Sequence, residues 1–139
     1  MRFRHLIGFA VLALLTSIAL ISCSLFGTSI ESRINTFISS LNTDRSTTVD
    51  NLVSGSAAYN AINGNPGYWN TPFPTAYEPY SFSFTSSTPY NENDTEGNIT
   101  NTATSQLYKF VLQNTGGIFP DYRIASLWVW TGSAWAQVF

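Results

Sequence analysis

The chain has 139 residues, with six Lys or Arg, eight Asp or Glu, one histidine and one cysteine. A single cysteine excludes an internal disulfide. So few cations exclude a basic patch that displaces many counterions from a phosphate backbone, and no nucleic acid is expected as a partner.

The chain opens with Arg2, Arg4 and His5 as a positive head, followed by a nearly charge-free apolar run from Leu6 to Ile21 and then Ser22-Cys23. The run slightly exceeds the apolar stretch of about 7–15 residues in an export signal. It falls short of the roughly 20 residues that a spanning helix needs. Leu20-Ile21-Ser22-Cys23 resembles the lipobox of bacterial lipoproteins, with an aliphatic residue three places before the cysteine and a small residue just before it. The resemblance implies cleavage between Ser22 and Cys23 and lipid attachment at Cys23. A helical anchor with an incidental cysteine is the alternative. On the lipoprotein reading, residues 1–22 are a signal peptide, 23–28 the lipidated cysteine and a short tether, and 29–139 a single domain. Each buried methylene adds about 0.8 kcal/mol to membrane affinity, so two or three acyl chains hold a protein firmly where one does not. The expected location is therefore exported and lipid-anchored, at the cell membrane or the outer membrane. Ser24 after the cysteine resembles lipoproteins of the outer membrane.

Loss of the signal removes His5, Arg2 and Arg4 and leaves Arg33, Arg45, Lys109 and Arg123 against eight acids. The remaining domain then has no imidazole and no free thiol. Ser-His-Asp and Cys-His catalysis are excluded, as are zinc sites built on those ligands, and neither metal nor cofactor is expected. A domain of this size buries roughly two thirds of its unfolded surface without help from disulfides.

In chain order, Thr28-Ser29-Ile30-Glu31 fits the S/T-x-x-E capping box. Ile30, Ile34, Phe37, Ile38 and Leu41 then recur at helical spacing, predicting a helix from Ser29 to Leu41. Asn42-Thr43-Asp44 ends it. A second helix is expected from Thr47, running through Ala57 and Ala58 to Ile62 and weakened by Gly55. From Asn63 to Tyr90, prolines alternate with aromatic residues, which excludes a regular helix or a central strand. Tyr80, Phe82 and Phe84 then alternate with Ser81, Ser83 and Thr85, the period of a strand with one buried face. Thr100 to Gln113 reads as a strand with Tyr108, Phe110 and Leu112 on one face. A turn at Asn114-Thr115-Gly116-Gly117 leads to a strand from Tyr122 to Trp130. Its strict alternation sets Ala125, Leu127 and Val129 against Ile124, Trp128 and Trp130. Thr131-Gly132-Ser133-Ala134 is a hairpin signal, and Trp135 to Phe139 returns.

Two helices followed by antiparallel strands define an α+β domain with helices on one sheet face. The opening helix from Ile30 to Asn42, the helix after it, and the late strands Gln106–Leu112 and Tyr122–Leu127 resemble the nuclear transport factor 2-like, or cystatin-like cone, superfamily. That likeness implies a curved, mainly antiparallel sheet that often encloses an apolar pocket. The proline-aromatic segment and the hairpin through Trp135 depart from its common pattern.

Three groups of residues are candidates for chemistry. Tyr68, Trp69, Phe73 and Tyr77 either line a ligand cleft or pack over the sheet, since aromatic faces bury large areas beside a polar tip. Trp128 and Trp130, with Trp135 nearby, either form an exposed partner surface or pack in the core. Glu92-Asn93-Asp94-Thr95-Glu96-Gly97 has the acid spacing that opens a calcium loop. The expected twelfth-position glutamate is Ala103 instead, so a solvated acidic turn is the simpler reading. Asp44, Asp50 and Glu78 are conceivable bases, but no catalytic motif of the superfamily transfers to this chain. The sequence thus reads as a membrane-tethered, non-enzymatic module that binds an envelope protein or a small apolar or aromatic-stacking ligand. The alternatives are a small cone-fold isomerase or hydrolase using a carboxylate and a tyrosine, and a structural or assembly lipoprotein.

Overall fold

The computed structural model describes residues 27–85 and 95–139. The signal segment, Cys23 and Glu92-Asn93-Asp94 lie outside them. Among the described residues no helix is long and apolar enough to cross a membrane.

Helix α1 spans Ile30–Thr43 and buries Ile30, Ile34, Phe37, Ile38 and Leu41, the stripe its spacing predicts. Its cap lies one residue later than the capping box suggests. Ser29 Oγ accepts from the Ser32 amide at 3.1 Å, and this satisfies one of the orphan donors of the first turn. Thr28 instead forms a parallel bridge with Asp121. Gly27 makes that approach possible: its φ is +73°, and a Cβ there would meet the Pro120 carbonyl oxygen at 2.0 Å.

The expected second helix is broken. Arg45–Asn51 form a 3-10 helix, Leu52 is extended and bridges to Ile124, and Gly55 turns the chain at φ +74°. Ser56 then caps a short helix α2, Ala57–Ile62, by accepting from the Tyr59 amide. The helical stretch therefore stops where Leu52 gains more by joining the sheet edge. The proline-aromatic segment forms 3-10 turns at Pro66–Asn70 and Thr75–Tyr77, as its proline density requires.

Five strands follow: β1 Ser81–Phe84, β2 Thr95–Thr100, β3 Ser105–Asn114, β4 Tyr122–Trp130 and β5 Trp135–Gln137. They lie in chain order, each antiparallel to the next, so the α+β class with a mainly antiparallel sheet is observed. Strand β2 begins at Thr95 and so occupies residues 95–97 of the segment that reads as an acidic turn. Asn101 makes the break with β3: its side chain accepts from the amides of Ala103 and Thr104, both at 2.8 Å. Gly97 sits under Phe82, whose ring would meet an added Cβ at 2.2 Å.

Strand β4 departs from strict alternation. Val111 pairs with Ser126 but Leu112 pairs with Ile124, so Ala125 is an extra residue in a bulge. A bulge bends its strand and shifts the facing of everything beyond it. Here it returns Ile124 to the same face as Leu127, and both are buried. Trp128 and Trp130 thereby part from Ile124 and point to the opposite side.

The core lies between the helices and one sheet face. Trp69, Phe37, Phe73, Phe110 and Leu127 are among its buried side chains. Phe139 closes it from the chain end: its carbonyl accepts from the Leu127 amide at 3.2 Å, and its ring stands 5.4 Å from that of Trp69.

Candidate functional site: a tryptophan face on the open side of the sheet

Strand alternation gives the sheet a second face, directed away from the core. It carries Glu96 and Asn98 of β2, Leu107, Lys109 and Val111 of β3, Ser126, Trp128 and Trp130 of β4, and Trp135 and Gln137 of β5, and none of these side chains is buried. The hairpin after Trp130 sets Trp130 directly opposite Trp135, with ring centroids 5.4 Å apart at an interplanar angle of 62°. Such edge-to-face pairs add about 0.5–1.5 kcal/mol beyond area burial. Lys109 Nζ lies 4.6 Å from the Trp135 ring centroid, within cation–π range. Trp128 Nε1 donates to Ser126 Oγ at 2.9 Å, so its indole is held by the face itself. Three indoles stand fixed on this partly open surface.

The other aromatic candidates separate into two sets. Trp69 is 0% exposed and Phe73 1%; both are inside the core. Trp69 Nε1 donates to Thr48 Oγ1 at 2.6 Å, which satisfies the one polar atom that burial would otherwise orphan. Phe73 packs edge-on to Tyr80 at 5.3 Å. Tyr77 is 44% exposed. Tyr68 is half-buried, donates from its hydroxyl to the Val138 carbonyl at 2.9 Å, and lines an open cleft of about 640 Å³ with Asn65 and Pro72. The structure thus brings Trp128, Trp130 and Trp135 together and leaves Tyr68 and Tyr77 apart from them.

A second cleft, of about 540 Å³, lies where the 3-10 segment meets the start of β4; Asp50, Tyr59, Asp121 and Arg123 are among its walls. Behind it sits a network that the sequence did not announce. Arg33 occupies an apolar-stripe position of α1 and is 8% exposed. It donates from Nε to the Tyr122 carbonyl at 2.6 Å, from one terminal nitrogen to Asn51 Oδ1 at 3.1 Å, and from the other to Asp121 Oδ1 at 2.7 Å. Arg123 donates to the other oxygen of Asp121 at 3.0 Å and to the Asp50 carbonyl. Burial and then Arg123 lower the Arg33 pKa, with Asp121 acting against them. Burial raises the Asp121 carboxyl, but hydrogen bonds and charge from Arg123 and Arg33 outweigh it and hold the group below the ordinary carboxylate range. A carboxylate held that firmly in its charged form is a poor proton acceptor. The signal for this network was an arginine standing in an apolar stripe.

The conceivable bases stand separately. Asp44 and Asp50 are exposed, and Glu78 pairs with Arg45 at 2.6 Å. Asp44 accepts from the Ser46 hydroxyl and amide, which lower its pKa. Burial pushes Tyr108, a core tyrosine, up to about 12. Comparison with known protein families, with curated proteins and with solved structures found no match to this chain.

Proposed function

We propose that this chain is a lipid-anchored envelope lipoprotein whose α+β domain is a binding module working through the tryptophan face. The observation that carries this reading is the placement of Trp128, Trp130 and Trp135 together on the sheet side away from the core. Indoles contribute large contact area at low conformational cost and are enriched where binding energy concentrates. Attachment at Cys23, followed by a tether ending at 28, keeps this face close to its membrane. The cone-like arrangement of the resembling superfamily belongs to the same proposal, with the curved sheet as the platform for ligand or partner.

The test uses the full-length protein purified in a zwitterionic, sugar-free detergent. Envelope components separated into lipid, glycan and protein fractions are titrated while tryptophan emission is read. The proposal expects at least one fraction to shift the emission saturably, and the Trp128→Ala/Trp130→Ala variant to lose the shift. No response to any fraction would remove the binding reading. For the anchor, Cys23→Ser is expected to abolish incorporation of labelled fatty acid and to block normal processing. A labelled Cys23→Ser protein would contradict it.

A further inference from the structure

We infer that the tryptophan face takes an uncharged glycan chain; this rests on the binding reading above and narrows it to one ligand class. A sugar ring has an apolar C–H side and a rim of hydroxyls, so its receptor needs flat aromatic area beside neutral donors and acceptors. The face supplies both. Trp128, Trp130 and Trp135 give the aromatic area, and the amides of Asn98 and Gln137 come from β2 and β5 on the same face. Two residues along a strand rise about 6.6 Å, so Trp128 and Trp130 succeed one another in a row suited to an extended chain.

Charge decides against the other occupants. Among the described residues around the three indoles, the charged side chains are Glu96 and Lys109, opposite in sign and directly paired in register, so this described part of the face is balanced in charge. An anionic bilayer is recognised by clustered Lys and Arg, and an acidic polymer needs the same. An amphipathic helix needs an unbroken apolar strip, but Trp128 is flanked in register by Lys109 and Gln137, which interrupt it. A neutral polyol matches the charge balance and tolerates the interruptions. The indoles are also held before binding, Trp128 by Ser126 and Trp130 by Trp135, and such preorganisation lowers the ordering cost of association.

The experiment titrates full-length protein in the sugar-free detergent with three hexasaccharide probes: cellohexaose, the N-acetylglucosamine hexamer, and the charged hexagalacturonate. Binding is read by calorimetry and tryptophan emission. Saturable binding of an uncharged probe is expected, weakened about tenfold by Trp130→Ala and unchanged by Tyr77→Ala, which alters an exposed aromatic outside the face. In the wild-type protein, the bound probe is also expected to shield Trp128, Trp130 and Trp135 from radical oxidation, a readout that needs no variant to fold. Binding of the charged probe alone, or binding without that shielding, overturns the inference. If no sugar binds while a protein or lipid fraction still shifts the emission, the glycan assignment falls and the binding module stands. If nothing binds, both fall.

Discussion

The two faces of one sheet use aromatic residues in opposite ways. On the core side Trp69 is closed in by Phe37, Tyr68, Phe73 and Phe139, and its indole N–H is answered by a buried threonine hydroxyl. On the other side Trp130 and Trp135 pack on each other, and Lys109 rests over an indole in place of a core. The same residue type is structural in one setting and presented in the other. What separates them is the element that carries each and where its polar atom is satisfied.

The comparison is broken most directly at Trp69. Trp69→Ala empties a fully enclosed site and removes the indole donor to Thr48, whose hydroxyl keeps its bond to the Arg45 carbonyl, so a loss of about 3–5 kcal/mol is expected in chemical denaturation. A loss comparable to that of a surface substitution would mean that Trp69 is not core. Asp121→Asn comes next. It removes the carboxylate that Arg33 and Arg123 share, and a loss of about 2–3 kcal/mol is expected, since a buried guanidinium is left without its counter-charge. The double variant Arg33→Met/Asp121→Asn should recover part of that loss, because it also removes the stranded cation. Neither change should alter binding at the tryptophan face.

The same pair fixes a pH dependence. Asp121 has a folded pKa below its unfolded value, so its contribution is fully present above the unfolded carboxylate pKa of about 3.9. It is lost as pH falls from there through the lower folded value. Urea midpoints measured on either side of pH 4 should therefore fall further in the wild-type protein than in Asp121→Asn. Equal slopes would contradict the ion-pair assignment. The smallest effect is expected at the opposite face. Trp128→Ala should change stability by about 1 kcal/mol or less, while weakening ligand binding.

Much of the architecture was legible in the residues. The stripe Ile30, Ile34, Phe37, Ile38, Leu41 announced α1, and Tyr108, Phe110, Leu112 announced β3, because each buries one face at its own period. Strand β2 was not legible: Thr95–Thr100 holds Ile99 as its one large apolar side chain, and the strand exists because two neighbours pair with it. The bulge at Ala125 was equally hidden, since an extra residue in a ladder is set by the partner strand. That is why strict alternation puts Ile124 on the face of Trp128 and Trp130, whereas the bulge puts it on the opposite one. Of the site, Trp128 and Trp130 could be named from alternation. Their union with Trp135 and Lys109 needed the register, and the burial of Trp69 and Phe73 needed the long-range packing of Phe139.

The central claim is that one face of the sheet is closed and the other presented. Hydroxyl-radical footprinting of the full-length protein, read by mass spectrometry at each tryptophan, tests it directly. Trp128, Trp130 and Trp135 should be oxidised readily, and Trp69 should be oxidised only when the protein is unfolded. Ready oxidation of Trp69 in the folded protein, or protection of the other three to the same degree as Trp69, would contradict the account.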